Sequence, residues 1–313
     1  MPIAPVSTVL PAPPIDTMPL AAKPPAQRAA VAVLLLMRTA QAATPRVIHS
    51  ESNATKITIR MERDKRSVDC SAVALVNSRN PAGTFMHIEV FPDETAVAAA
   101  AARLIAAAAR EAVATRGRFL MAVSGGKTPW AMLRDLASED VPWSLFHVFQ
   151  VDERLAADGD PDRNLTHLHA SLLGNAPIPP ENIHAMPVTA PEAAQGAIEY
   201  ELILATWCGN PPVLDLVHLG LGADGHTASL VPGDPALDCC DRDVALTGVY
   251  QSRRRMTLTF PMLDRSRRVL WLATGAAKAP MIKRLLAGDA TVPAGLVSQA
   301  NAVLFIDAAA QGT

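Results

Sequence analysis

The sequence predicts an α/β protein with a mostly parallel, Rossmann-like sheet covered by helices on both faces. From Met86 onward, short apolar runs alternate with segments of helical pattern, an order typical of successive β-α-β units. The apolar runs are nearly continuous, as expected for strands that are buried on both faces. No repeat of fixed period is present, which argues against a solenoid.

The first predicted elements are two strands around a long helix. The strands are residues 86–91 (MHIEVF) and 119–123 (FLMAV), and the Ala-rich segment between them has Asp93 near its start and Gly117 after its end. An acidic residue before the first turn and a glycine after the last are typical helix boundaries. A second helix, which Pro129 can open at its first turn, follows the second strand.

The remainder of this region continues the alternation. Four more apolar runs predict strands, at residues 145–152, 213–221, 267–275 and 302–307. Helical patterns at residues 191–207 and 276–288 lie between some of these runs. We therefore predict one domain over residues 86–313.

Residues 1–85 differ from the rest of the chain. Residues 1–26 are rich in Pro and Ala without a periodic apolar face, which is typical of an unstructured tail. Residues 27–43 resemble the core of a secretory signal, but this segment lies behind several prolines. We predict a disordered or poorly ordered extension over 1–85, with an export signal or a start codon placed too early as alternatives.

Composition and charge exclude several classes of protein. The 313 residues are 50% hydrophobic and carry a net charge of -2, so we expect no nucleic-acid partner. The apolar run near residue 30 is shorter than the roughly 20 residues of a membrane span, so we expect no membrane association. The four cysteines form no CxxC pair; they are Cys70, Cys208, Cys239 and Cys240. We expect their thiols to be reduced, as in a cytoplasmic protein. We also expect a monomer or weak homo-oligomer.

Three polar clusters follow predicted strands, at the edge where open α/β sheets bind ligands. The first is a glycine loop that can present backbone N–H groups and a helix N-terminus to a phosphate; it comprises Ser124, Gly125, Gly126, Lys127 and Thr128. It lacks the spacing of the common nucleotide-binding motifs. A tight turn between strand and helix is the alternative.

The second cluster is Asp152, Glu153 and Arg154, directly after a strand that should be buried. These charges must be paired or face a cleft, because burying a charge without a partner is costly. A local ion pair at a strand end is the alternative. His167 and His169, which follow, have the spacing of metal ligands, but we favour a helix surface and predict no metal site.

The third cluster lies in the segment GLGADGHTASL, residues 220–230. Gly222 and Gly225 permit close backbone approach, and Asp224 lies two residues before His226. A histidine can take a proton from water near neutral pH, and a neighbouring carboxylate can orient its ring. The glycines and Asp224 favour catalysis over a histidine that merely caps a helix.

Basic residues in the last third of the chain complete the candidate site. Arg255 lies beside an alternating segment, and Lys278 begins the helix after residues 270–275. Arg and Lys side chains are most often exposed to solvent. A pocket for a phosphorylated ligand, however, commonly uses an Arg fork and a Lys to hold the phosphate.

Taken in order, these segments resemble the 6-phosphogluconolactonase family. The resemblance covers about residues 86–310 and rests on SGGKTP, VDER, GADGHTASLVPGDPAL and RRMTLTFPMLDRSRRVLWLATGAAKA. It implies a sheet like that of sugar-phosphate isomerases. It also implies hydrolysis of 6-phospho-D-glucono-1,5-lactone, a small phosphorylated sugar lactone of the pentose phosphate pathway, without metal or organic cofactor.

The resemblance also assigns roles to residues. His226 would be the general base, positioned by Asp224, and Arg154 would bind substrate or stabilise the oxyanion. The glycine loop, Arg255 and Lys278 would hold the phosphate. The chain departs from the family at Lys127, where a small hydroxyl residue is expected, and at Asp264, where Asn is common.

Two questions stay open at this point. Three arginines, Arg253 to Arg255, precede the TLT segment, and its register favours Arg255 for the phosphate. Glucosamine-6-phosphate deaminase is a similar enzyme that uses a Glu to assist ring opening. The position of that Glu is Val231 in this chain, so the chain lacks the second acid that deamination needs. A sugar-phosphate binding protein without catalysis is the other alternative.

Overall fold

The computed structural model describes residues 86–311, and the predictions made for residues 1–85 concern residues outside this range. The strands of the described part are β1 His87–Phe91, β2 Phe119–Val123, β3 Phe146–Gln150, β4 Asp152–Arg154, β5 Ile183–His184, β6 Leu216–Gly220, β7 Val244–Leu246, β8 Arg255–Leu258, β9 Val269–Ala273 and β10 Ala302–Asp307. The α-helices are α1 Glu94–Arg116, α2 Lys127–Leu136, α3 Asn164–Leu168, α4 Ala193–Cys208, α5 Phe260–Asp264, α6 Ala279–Leu286, α7 Pro293–Leu296 and α8 Ala308–Gln311.

Within residues 86–311 the strands form two sheets. The larger has seven strands in the order β1-β10-β9-β6-β2-β3-β5, all parallel, and the smaller has three in the order β4-β8-β7, all antiparallel. The predicted parallel α/β class is confirmed. The small antiparallel sheet is an addition that the sequence pattern did not indicate.

The large sheet is covered on both faces. Phe119 and Met121 of β2 point into a core shared with α1 and α2, whereas Leu120 and Ala122 point into a second core that contains Tyr200 of α4. Successive side chains of a strand alternate between faces, so an unbroken apolar strand supplies both cores.

The predicted helix boundaries at α1 are confirmed. The Asp93 side chain accepts a hydrogen bond from the backbone N–H of Ala96, and Gly117 ends the helix with φ +78°. A carboxylate at the N-cap satisfies a backbone donor that lacks a partner within the helix. A left-handed residue after the last turn favours glycine.

The prediction of one strand over residues 145–152 is wrong at its C-terminal end. The large sheet keeps Phe146–Gln150, and Asp152–Arg154 pairs instead with β8 in the small sheet. Val151 joins the two strands: its N–H donates to the Val123 carbonyl, and its carbonyl accepts from the Leu258 N–H. One continuous segment therefore carries the chain from one sheet into the other.

The strand order reverses between β2 and β6. After β2 the chain moves to β3 and β5 on one side, and β6 then lies on the other side of β2. In open α/β sheets, such a reversal leaves a crevice beyond the carboxyl ends of the two strands. The loops after β2 and β6 are the first and third predicted polar clusters.

Two expectations from composition can be compared with the structure. Cys208 and Cys239 have free thiols, but Cys240 is disulfide-bonded, so the expectation of a reduced thiol is wrong there. Among the helices of residues 86–311, none combines the length and the apolar character needed to cross a bilayer.

Asp264, at the end of α5, is a partly buried acid in an environment that disfavours its charge. Burial raises the pKa of its carboxyl from the ordinary 3.8 to about 6, although Oδ1 accepts the Ser298 N–H at 2.8 Å. A raised folded-state pKa means that the contribution of Asp264 to stability is greatest below about pH 4 and is lost as pH rises through about 6.

We therefore expect Asp264→Asn to stabilise the protein at pH 7.5. The amide keeps an oxygen to accept the Ser298 N–H but carries no charge, so the free energy of unfolding should rise by about 1 kcal/mol. Urea unfolding at pH 4 to 8 measures this, with Asp135→Asn on the exposed surface of α2 as the control for losing one charge. A variant that is less stable than the parent at pH 7.5 would contradict the expectation.

Candidate active site

A histidine and an aspartate form a hydrogen-bonded pair in the loop after β6. Nδ1 of His226 lies 2.5 Å from Oδ1 of Asp224, and the His226 N–H donates to the same oxygen at 3.1 Å. Side-chain exposure is 25% for His226 and 39% for Asp224, so a ligand from solvent can reach both. Because Nδ1–H is taken by the carboxylate, Nε2 is the ring nitrogen left to accept a proton.

The ring packs against a position that only glycine can occupy. A Cβ on Gly222 would lie 2.1 Å from His226 Nδ1 and 2.6 Å from Asp224 Oδ1. Contacts that short do not occur between non-bonded atoms, so a side chain at residue 222 would separate the pair. Gly225 completes the turn with φ +83°.

Hydrogen bonds determine the charge state of Asp224. Burial acts to raise its pKa, but the His226 backbone and ring and the Tyr250 hydroxyl donate to the carboxylate, and together they hold the pKa below its ordinary value. Asp224 is therefore ionised at neutral pH. An ionised carboxylate at Nδ1 fixes the ring tautomer and favours the imidazolium that proton uptake would create.

The glycine loop after β2 lies against the neighbouring strand β6. The Ser124 N–H donates to Nδ1 of His218 at 3.3 Å, and the Ser124 Oγ is buried without a hydrogen-bond partner. Burial lowers the pKa of His218 to about 3, so it remains a neutral acceptor. The loop then turns through Gly126, at φ +131°, into α2.

Two residues of this cluster point elsewhere. Thr128 is buried, and its hydroxyl donates to Glu94 Oε1 at 3.0 Å and lies 2.9 Å from the Thr274 hydroxyl. Lys127 is exposed on the first turn of α2. Gly125 is the member of this cluster whose contacts lead to the second cluster, through Asn164.

The charged residues of β4 have separate environments. Glu153 is fully buried and accepts from the side chain of Gln150 and from the backbone N–H groups of Arg154, Asn164 and Leu165. Both carboxylate oxygens of Glu153 accept hydrogen bonds from the protein, so Glu153 has a structural role. Arg154 is partly exposed.

Asn164 connects three parts of the site. Its amide donates to the Asp152 carbonyl at 2.9 Å, and its oxygen accepts from Arg154. A Cβ on Gly125 would lie 2.0 Å from that oxygen, so the glycine loop is in direct contact with it. Asp152 also accepts from Ser229 Oγ at 2.6 Å, which ties β4 to the loop of His226.

Arg255 lies beside Arg154. The two are partners across β4 and β8, and Arg255 is buried with Nε unpaired. Burial, and then the charge of Arg154, lower the pKa of Arg255, although it remains protonated. Two adjacent guanidinium groups, one with an unused donor, favour binding of an anion.

The other two arginines have different partners. Arg253 pairs with Asp160 at 3.0 Å and Asp162 at 3.1 Å, and the exposed Arg254 donates to the Thr247 carbonyl at 3.4 Å. Lys278 donates from Nζ to the Leu221 carbonyl at 2.6 Å, next to Gly222.

The structure brings most of the predicted residues together through direct contacts. Gly125 meets Asn164, which holds Arg154; Asp152 meets Ser229; and Lys278 meets the strand end before Gly222. Sequence reasoning missed Asn164, Ser229 and Tyr250. Asn164 is the first residue of α3, and the signal that could have found it is an Asn a short way along the chain from Asp152 and Glu153.

The two histidines are on the surface. His167 is exposed, its Nε2 lies 2.9 Å from the Pro161 carbonyl, and its ring stacks on Trp130 with centroids 5.4 Å apart. Within residues 86–311, no group of three or more His, Cys, Asp or Glu side chains is arranged to hold a metal ion.

Comparison with known proteins places this arrangement in a family. The family described as glucosamine-6-phosphate isomerases/6-phosphogluconolactonase matches residues 92–306. The 6-phosphogluconolactonase of Nostoc sp. is 35% identical over 232 residues, which are 72% of this chain and 96% of the relative. That of Mycobacterium tuberculosis is 35% identical over 234 residues, 70% of this chain and 95% of the relative.

Solved structures show the same fold. The 6-phosphogluconolactonase from Thermotoga maritima has a TM-score of 0.64 at 26% identity, covering 71% of this chain and 99% of the other. A monomeric glucosamine-6-phosphate deaminase has a TM-score of 0.62 at 17% identity, covering 72% and 99%, and shows the fold alone. The chain therefore belongs to the family of glucosamine-6-phosphate isomerases and 6-phosphogluconolactonases.

Proposed function

We propose that this chain hydrolyses 6-phospho-D-glucono-1,5-lactone to 6-phospho-D-gluconate, with His226 as the general base. The relatives at 34 to 35% identity that it covers over nearly their full length bear the name of this activity. The observation that carries the chemical part is the Asp224–His226 pair, whose imidazole contacts the same Tyr250 ring as Arg255 does. A proton acceptor and an anion-binding group therefore lie on two sides of one side chain.

The proposed reaction begins with water. His226 Nε2 takes a proton from a water molecule while the water oxygen attacks the C1 carbonyl carbon. The π electrons of the carbonyl move onto the carbonyl oxygen, which becomes an oxyanion. Arg154 stabilises this oxyanion. The oxyanion then re-forms the carbonyl, the C1–O5 bond breaks, and the imidazolium returns its proton to O5. The product acid ionises at neutral pH.

The substrate phosphate has a proposed place beside Arg255, across the Tyr250 ring from His226. We assign it to Arg255, Lys278 and the backbone of Ser124, Gly125 and Gly126. Arg255 has an unpaired buried Nε and Ser124 an unpaired buried Oγ, and unmet hydrogen-bonding groups of this kind are costly unless a ligand meets them. Asp152 and Glu153 serve as the supports that hold Asn164 and Arg154.

Deamination is not favoured. Val231, where the resemblance places the second acid of the deaminase, is buried and apolar. A binding protein without turnover has no supporting observation of its own, because the Asp224–His226 pair is intact and reachable from solvent.

The proposal predicts turnover of freshly generated 6-phosphogluconolactone. Formation of 6-phosphogluconate is followed with coupled 6-phosphogluconate dehydrogenase against a blank without enzyme, because the lactone also opens spontaneously. We expect a rate well above the blank and no release of ammonia from glucosamine 6-phosphate. Binding of 6-phosphogluconate with no rate above the blank would instead indicate a sugar-phosphate binding protein.

A further inference from the structure

The loop between β7 and β8 ends in a two-residue hairpin turn beside the proposed active site. Tyr250 and Arg253 exchange backbone hydrogen bonds of 2.9 and 3.2 Å around Gln251 and Ser252. The two central residues have φ values of +51° and +65°. Such turns favour Asn and Gly, because other residues pay a steric cost at positive φ.

Side chains on either side hold this turn in place. Arg253 reaches Asp160 and Asp162, and the Gln251 side-chain oxygen accepts from Arg255 at 3.0 Å. A backbone in an unfavourable conformation persists where the surroundings determine it, and such residues gather at functional sites. The turn therefore has a defined position relative to the pocket, and its first residue is Tyr250.

Tyr250 contacts both ends of the proposed site. Its hydroxyl donates to Asp224 Oδ2 at 3.1 Å, and its ring meets the His226 ring edge-on with centroids 5.5 Å apart. On its other side, the Arg255 guanidinium carbon lies 5.0 Å from the ring centre. These three residues are the charged or titratable groups that the structure places against it.

We propose that Tyr250 is a positioning residue, which holds the Asp224 carboxylate so that its other oxygen orients the His226 ring. The inference rests on the proposed function of His226 and extends the pair to a chain of three groups, Tyr250–Asp224–His226. It also makes the Tyr250 ring the wall between the base and the arginine assigned to phosphate.

The geometry of a carboxylate explains the need for this contact. Asp224 is 39% exposed. Its Oδ1 accepts from the backbone and the ring of His226, and rotation about the side-chain bonds of Asp224 would move Oδ1 away from Nδ1. A second donor on Oδ2 prevents that rotation. Burial and the Asp224 charge raise the pKa of the Tyr250 hydroxyl, so it keeps its proton at neutral pH and remains a donor.

The hydroxyl also withdraws charge from the carboxylate. A carboxylate that shares its charge with a second donor stabilises the neighbouring imidazolium less. Without the hydroxyl, the Nδ1–H of His226 loses a steadily placed acceptor. Loss of position should therefore lower the rate and change the environment of that Nδ1–H.

The test compares Tyr250→Phe with Tyr250→Ala and with Ser252→Gly. We expect Tyr250→Phe to lower kcat about 3- to 10-fold with KM within about 2-fold, the range for one ordinary hydrogen bond, because the hydroxyl acts on the base only through Asp224 and its contact is partly exposed. Tyr250→Ala should also raise KM, because the wall is gone. Ser252→Gly suits the positive φ and should retain parent kinetics.

A second readout does not depend on turnover. The NMR signal of the His226 Nδ1–H proton, assigned with a His226→Gln variant, should broaden or move in Tyr250→Phe, because its acceptor is no longer held in place. Parent kcat together with an unchanged Nδ1–H signal would overturn the inference. If the parent has no lactonase activity but the signal changes, the proposed function fails and the Tyr250 contact stands.

Discussion

Replacing His226 with alanine should lower kcat for 6-phosphogluconolactone by about 10²-fold or more, the range for loss of a general base. KM should change little, because the ring acts on water and the anion-binding residues remain. The residue is partly exposed in a loop, so its truncation removes little buried surface. The fold should therefore survive the change.

The measurement is the initial rate with coupled detection, corrected for the spontaneous rate. His167→Ala is a matched control, because it removes a histidine from the exposed surface of α3. Unchanged thermal unfolding in both variants separates chemistry from folding. A His226→Ala enzyme with more than about a tenth of parent kcat would remove His226 from the proposed mechanism.

Replacing Arg255 with methionine should mainly weaken substrate binding. A charged hydrogen bond to phosphate contributes about 1.5 to 3 kcal/mol, so KM for the phosphorylated lactone should rise roughly 10- to 100-fold. Methionine fills part of the buried volume of Arg255 without its charge. Hydrolysis of unphosphorylated glucono-1,5-lactone should be affected much less, because that substrate lacks the group that Arg255 holds.

Arg254→Ala is the control for this experiment. Arg254 is the neighbouring residue in the chain and is exposed, so its loss removes an equal charge without opening the core. If KM is unchanged in Arg254→Ala and raised in Arg255→Met, Arg255 rather than Arg254 binds the substrate phosphate. Equal losses toward both lactones in Arg255→Met would show that Arg255 does not contact phosphate.

The sequence predicted the large sheet well because each of its main strands is a local apolar run. The strand at 119–123 is confirmed to the residue, and α1 has both predicted ends. The small sheet was beyond local pattern. β4 and β8 are short and about 100 residues apart, and only pairing in three dimensions identifies Asp152–Arg154 as a strand.

The candidate site shows the same division. Asp224 and His226 are two residues apart, so spacing alone indicated their contact. Tyr250 is 26 residues from Asp224 and reaches it through a hairpin turn, and no local pattern specifies that approach. The sequence indicated that Glu153 must be paired or face a cleft, but the four donors that occupy it came only with the structure. The monomer or weak homo-oligomer and the cytoplasmic location stay predictions.

The division of the site between two sheets affects which ligands it can accept. His226 follows a strand of the large sheet, whereas Arg154 and Arg255 lie on the small one, and Val151 joins the sheets. If His226 and Arg255 act as proposed, the spacing between the base and this part of the phosphate site depends on the backbone joint at Val151. A sugar lactone one carbon shorter or longer should then bind less well, because a change of one side chain cannot reset that spacing.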